Sequence, residues 1–191
     1  MNCHKKRALF FLLFAVILIC LSSCASSPAA RRSGLYAWLT DDSKYMLLRP
    51  ENIENPMDSH QLFSALYGNR SFLFIAWVKA DSTGIDMTFM NELGTNMGEL
   101  SFREGSVSYS TPMLPEFIGG EYIVADFQLC YYNAPALRKA LESCGLSLDE
   151  TGNVRRVYKG KNLVMEIEKN QNTVKLVNHY RGYTYTLEGG L

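Results

Sequence analysis

Several common chemistries have no footing in this chain. It has no H-E-x-x-H zinc motif, no glycine-rich phosphate loop, no dinucleotide fingerprint and no G-x-S-x-G elbow, the patterns that position metals, phosphates, cofactors and nucleophilic serines. Neither sign of charge prevails, with 19 basic and 19 acidic residues. Without a basic stripe to neutralise phosphates, nucleic acid is excluded as the main partner. Histidine is scarce. Beyond the first residues only His60 and His179 occur, and neither has His, Cys or carboxylate neighbours at metal-ligand spacing. No repeat or low-complexity run divides the chain, so one domain is expected.

The long apolar runs that mark membrane helices are also missing, with one shorter run at the start. Lys5, Lys6 and Arg7 precede the uncharged stretch from Ala8 to Leu21, which falls short of the roughly 20 residues that span a bilayer. Small residues then lead to a cysteine in Leu21-Ser22-Ser23-Cys24. This resembles the lipobox of bacterial lipoproteins. The resemblance implies a removable signal peptide over residues 1–23 and an acylated Cys24 as the first mature residue, anchoring the protein to a membrane. Ala25, where an Asp would retain the protein at an inner membrane, implies passage to the periplasmic face of the outer membrane in a two-membrane organism. Cleavage removes three basic residues and no acidic ones, leaving 16 against 19. Residues 24–33 read as the lipidated cysteine and a flexible tether, and 34–191 as the folded domain. With Cys3 and Cys20 gone and Cys24 lipidated, Cys130 and Cys144 remain, either as two buried thiols or as a bridge closing about 15 residues.

Within 34–191 two signals set the elements. Asn55-Pro56 opens, and Gly68 closes, a segment with Leu62, Phe63, Leu66 and Tyr67 on one helical face. Asn133 caps Ala134-Pro135, after which Leu137, Ala140, Leu141 and Cys144 recur at helical spacing before Gly145. Between Gly120 and Tyr132, Tyr122, Ala125 and Leu129 fit a helix, with a buried strand as the alternative. Much of the rest alternates with period two: 71–79, 85–89, 100–102, 107–109, 154–158, 163–168, 173–178 and 183–187. These predict an α+β fold, a curved antiparallel sheet with one solvated face and helices on its apolar face.

The apolar inventory says more than the polar one. Phe72, Phe74, Met87, Phe89, Leu100, Phe102 and Met165 all fall on predicted strands, and a sheet lined by Phe and Met accommodates irregular apolar guests. Ordinary core packing is the competing reading for each. Cys130 with His179 would make a nucleophile and base only if the fold joined them. Asp126, between Ala125 and Phe127, reads as a buried, hydrogen-bonded structural carboxylate rather than a catalytic acid. No catalytic residue, metal site or cofactor is expected.

Residues 85–110 resemble LolB, the outer-membrane acceptor that receives lipoproteins from a soluble carrier. The shared features are a strand, then Asn91-Glu92-Leu93-Gly94, then Glu99-Leu100-Ser101-Phe102, a turn at Gly105 and the Val107 strand. The whole folded part is similar to a family of uncharacterised bacterial lipoproteins with a LolB-like fold, often found with aryl-polyene or related lipid-synthesis genes. There the likeness rests on Asn91–Gly94, Tyr122–Leu129, Leu176-Val177-Asn178 and Gly182-Tyr183. It implies a half-barrel covered by helices and enclosing an apolar cavity for acyl chains. Leu93 matches the protruding leucine that helps place cargo in the membrane, though Glu92 stands where LolB has proline and predicts a less rigid loop. Met113-Leu114, between two prolines, is a second candidate rim. The expected function is a non-enzymatic, membrane-anchored lipoprotein that binds a lipid or acylated protein for transport or insertion. An envelope subunit docking to a partner protein is the alternative, and an acyltransferase or hydrolase using Cys130, His179 or Asp126 is a third.

Overall fold

The structure is a computed structural model describing residues 31–33, 35–112 and 119–189. The expected signal peptide, Cys24, the expected tether before residue 31 and the candidate rim Met113-Leu114 lie outside these residues. The strands are β1 (Arg31–Ser33), β2 (Tyr36–Trp38), β3 (Lys44–Met46), β4 (Met57–Tyr67), β5 (Arg70–Asp81), β6 (Gly84–Met90), β7 (Asn96–Arg103), β8 (Ser106–Ser110), β9 (Ser147–Thr151), β10 (Val154–Lys159), β11 (Asn162–Asn170), β12 (Thr173–Asn178) and β13 (Tyr183–Glu188). Two helices, α1 (Gly120–Tyr131) and α2 (Ala134–Glu142), interrupt the strand series.

Eleven strands form one sheet in the order β1-β8-β7-β6-β5-β4-β13-β12-β11-β10-β9, and β2 pairs with β3 alone. Every pairing is antiparallel. The sheet is open, since β1 and β9 end it without meeting. Directly paired residues share a face, so the register traces one inward row through Phe72, Ala65, Tyr185, Leu176, Ile167 and Arg155. This is the face that α1 covers. The fold is thus the expected α+β arrangement of an antiparallel sheet with two helices.

The segment from Asn55 to Gly68 is a correction. It forms β4, not a helix, paired over its full length with β5 and over its second half with β13. Its apolar residues mimic helical spacing because both faces carry them: Phe63 and Ala65 point inward while Leu62 and Leu66 are exposed. Backbone pairing on two sides overrides that local pattern. Between Gly120 and Tyr132 the helix prevails over the strand alternative. The tether also shortens, because Arg31–Ser33 pair with β8. A strand without apolar alternation gave no sequence signal, yet the open edge of β8 offers backbone partners to any extended segment.

Helix α2 begins at the expected cap. Asn133 Oδ1 accepts from the Ala136 N–H at 3.0 Å, and its Nδ2 donates to the Asn52 carbonyl at 2.9 Å. Helix α1 is buried on more than one side, with Val124, Ala125, Phe127, Leu129 and Cys130 all enclosed. The β2–β3 hairpin covers the side away from the sheet. There Gln128 accepts from the Leu48 N–H at 2.9 Å and donates to its carbonyl at 2.8 Å, and it also accepts from the Tyr45 hydroxyl at 3.1 Å. A fully buried amide with this many partners meets its desolvation cost. At its start α1 lies hard against β8: a Cβ on Gly120 would sit 2.6 Å from Tyr109 Cβ and 2.9 Å from Val107 Cγ1. At its end the Arg155 guanidinium donates to the carbonyls of Leu129, Cys130 and Tyr132 at 3.2, 3.3 and 2.8 Å.

Candidate functional site

Between the inward face of β4–β6 and β13 and the pocket-facing side of α1 lies a pocket of about 420 Å³. Period-two alternation supplies one wall: Phe63 and Ala65 from β4, Phe72, Phe74, Ala76 and Val78 from β5, Met87 and Phe89 from β6. Helical spacing supplies the other, through Tyr122, Ile123, Asp126 and Phe127. The rings pack on one another, with Phe63 stacked on Phe74 at 4.4 Å and Phe74 edge-on to Phe89 at 5.4 Å.

Of the seven residues expected to line a cavity, Phe72, Phe74, Met87 and Phe89 do so. Leu100, Phe102 and Met165 are instead packed in the core, 1–2% exposed. They point inward as their alternation requires, but β7 lies beside the strands that bound the pocket and β11 lies beyond them, past β12. Period two gives the face and is silent on the place along the sheet.

The pocket holds one carboxyl among the described residues that line it. Asp126 is enclosed by protein but keeps part of its surface open to the pocket. Its Oδ2 accepts from the Tyr183 hydroxyl at 2.7 Å, while Oδ1 has no hydrogen-bond partner among the described residues. Burial pushes its pKa up to about 7, against the opposing pull of the Tyr183 bond and the Arg181 charge. Tyr183 and Tyr185 are likewise held up by burial and then by neighbouring Asp126 and Cys130. Cys130 and Cys144 are separate thiols. Cys130 meets the Tyr185 hydroxyl at 3.7 Å, and burial pushes its thiol up to about 12, so it stays protonated at neutral pH.

Tyr180 and Arg181 close one end, on the turn between β12 and β13. The guanidinium lies 4.6 Å from the Tyr122 ring centre and donates to the Trp38 carbonyl at 2.5 Å. It makes no ion pair among the described residues. Arg181 and Tyr185 were not singled out from the sequence, and Tyr183 only as part of the Gly182-Tyr183 likeness. Their signal was the aromatic alternation of the last strand, which periodicity reads as core.

Leu93 is 90% exposed on the loop between β6 and β7. Side-chain hydrogen bonds and a turn hold the loop's shape. Asn91 Oδ1 accepts from the N–H groups of Leu93 and Thr95 at 3.0 and 2.9 Å, and Gly94 takes the left-handed φ of 77° that closes the turn. An Asx turn thus stands where the resemblance has proline.

On the opposite face of the sheet, Leu62, Leu73 and Trp77 are 40%, 53% and 37% exposed. They sit on adjacent strands in the register His60–Trp77, Leu62–Ile75 and Ser64–Leu73.

A family model described as "Protein of unknown function (DUF3261)" matches residues 58–189, from the start of β4 to the end of β13. No curated protein matches the chain.

Proposed function

This chain belongs to the DUF3261 family of unknown function, and from that footing we propose that it is a non-enzymatic, membrane-anchored lipoprotein that binds a lipid or acylated protein in the pocket beneath α1. The observation that carries the reading is the pocket itself, about 420 Å³ and walled mainly by aromatic and aliphatic side chains. Such walls return to an acyl chain the apolar surroundings it leaves, so uptake and release need no cofactor.

The contacts of α1 support a LolB-like half-barrel. Strands β8 and β10 are eight places apart in the sheet order, which on a flat sheet is about 38 Å at about 4.8 Å per strand. Helix α1 has 12 residues, a span of only about 18 Å. Yet it abuts β8 at its start and receives Arg155 of β10 at its end. A sheet bent round the helix reconciles the two lengths and encloses the cavity.

In this proposal the acyl chains on Cys24 hold the protein to the periplasmic face of the outer membrane. The exposed Leu93, on its Asx-turn loop, assists transfer of cargo to the membrane. The test is native mass spectrometry of residues 25–191, which retain every described element, purified from a host that makes its own lipids. A discrete added mass, released by organic solvent and identified as an acylated molecule, is the expected result. A bare mass, unchanged by incubation with lipids and lipopeptides, overturns it.

A second reading, an envelope subunit that docks to a partner protein, is favoured by the exposed Leu62, Leu73 and Trp77 on the outer face. It predicts a stable complex that survives when bulky residues fill the pocket.

A further inference from the structure

Volume, length and charge together narrow what the pocket takes. Along β5 its lining runs from Phe72 to Val78, six residue steps or about 20 Å. About 420 Å³ spread over that length leaves a column roughly 5 Å across, the width that carbon–carbon contact distances of about 4 Å allow one chain. Two or three acyl chains abreast need two or three such columns. An extended chain advancing about 1.3 Å per bond fills the length with about sixteen carbons.

The charged groups gather at one end of the column, while Gln61 and Tyr131, which bond each other on the wall beside Ala76, are the neutral polar groups further along it. Arg181 stands at the mouth with no contact ion pair among the described residues, although its charge acts on Asp126, and its guanidinium is braced by the Tyr122 ring and the Trp38 carbonyl. On α1, one turn from Tyr122, Asp126 presents an unpartnered Oδ1, its other oxygen bonded to Tyr183.

We infer that the pocket is built for a single-chain acyl ligand with an acidic head, the head paired with Arg181 and hydrogen-bonded by the Asp126 carboxyl. The inference rests on the acyl-binding reading of the pocket and names its ligand class. An anion at Arg181 favours the neutral form of Asp126, whose Oδ1–H then donates to the head oxygen. Binding therefore takes up a proton when it begins above the point at which Asp126 ionises. The other titratable groups near Asp126 are Cys130 on α1, Tyr183 and Tyr185 on β13 and Arg181 on the preceding turn, and Tyr67 of β4, Tyr122 and Tyr131 of α1 and Tyr180 of the turn also line the pocket. The lining stretches of β5 and β6 bring only Phe, Ala, Val and Met.

The experiment uses delipidated residues 25–191 and displacement of a fluorescent fatty acid by palmitic acid, its methyl ester and a triacylated lipopeptide. Palmitic acid should bind most tightly. Arg181→Met should weaken the acid about ten- to a hundredfold, the worth of a charge-assisted hydrogen bond, while leaving the ester unchanged. Retained ester binding also shows that the variant is folded. Acid affinity should fall from pH 6 to pH 9, and Asp126→Asn should flatten that fall. If the ester or lipopeptide binds as tightly as the acid, if Arg181→Met spares the acid, or if Asp126→Asn keeps the slope, the acidic-head inference is overturned and acyl binding stands. If no probe binds, the acyl-binding reading itself is lost.

Discussion

Arg155 exposes only 5% of its side chain, and its charge is used on every side. Nε donates to Glu150 at 2.6 Å across the β9–β10 pair, Nη2 reaches Glu54 at 3.5 Å, and Nη1 serves the carbonyls that end α1. A cation at a helix C-terminus opposes the partial negative charge there. Arg155→Leu keeps the volume and strands three carbonyls and a carboxylate, so urea unfolding should report a loss of about 3 kcal/mol. Asp126 is the perturbed acid of the pocket. Its folded pKa, about 7, lies above the ordinary 3.8, so between these values the folded state holds a proton that the unfolded chain has released. Its contribution is therefore greatest below about pH 4, declines as pH rises to 7 and is flat beyond. The stability of wild type relative to Asp126→Asn should fall across that window by at most about 1.4 kcal/mol per pH unit. Chemical denaturation at pH 4, 5.5, 7 and 8.5 measures it, and a difference that does not vary with pH would place the ionisation elsewhere.

Asn133 is the element-scale counterpart, since it ties the start of α2 to the loop carrying Asn52. Asn133→Ala should lower stability by about 1 kcal/mol in urea unfolding, the usual cost of a lost N-cap. That cap was legible in the sequence because capping is local: the donor, acceptor and helix start lie within four residues. The strands β6 to β8 and β10 to β13 were legible for a similar reason, as one face of each is apolar and the alternation survives, and β5 as a nearly continuous apolar run. β4 was not. Leu62 and Leu66 on its outer side erase the period that Phe63 and Ala65 would show, and Asn55-Pro56 supplies a false helix start. β9 and the β2–β3 hairpin were short enough to leave no pattern. The pocket was half legible, since alternation names Phe72, Phe74, Met87 and Phe89. What placed Leu100, Phe102 and Met165 elsewhere is the order of strands, which only the assembled sheet contains. Tyr183, Asp126 and Arg181 meet across more than fifty residues of chain, beyond any spacing rule.

At the scale of the whole molecule, one sheet offers two apolar surfaces, the inner wall of the pocket and the exposed patch behind it. The two functional readings divide along that line, and substitutions on opposite faces of the same strands separate them. Ala65 points inward yet is only half buried and lines the pocket, so its free surface faces the space a ligand would take. Ala65→Trp places an indole in that space, which an empty pocket admits at less cost than a packed core. Leu73→Lys changes only the outer face, where the residue is already 53% exposed. If the pocket carries the function, Ala65→Trp should abolish the added mass in native mass spectrometry while leaving the circular dichroism spectrum intact, and Leu73→Lys should leave that mass in place. The docking reading requires the reverse pattern in a pull-down from envelope extracts, a partner lost with Leu73→Lys and kept with Ala65→Trp. Because β4 and β5 carry both surfaces, a variant that unfolds them would lose both readouts together. Loss of one alone is therefore a statement about a face and not about the fold.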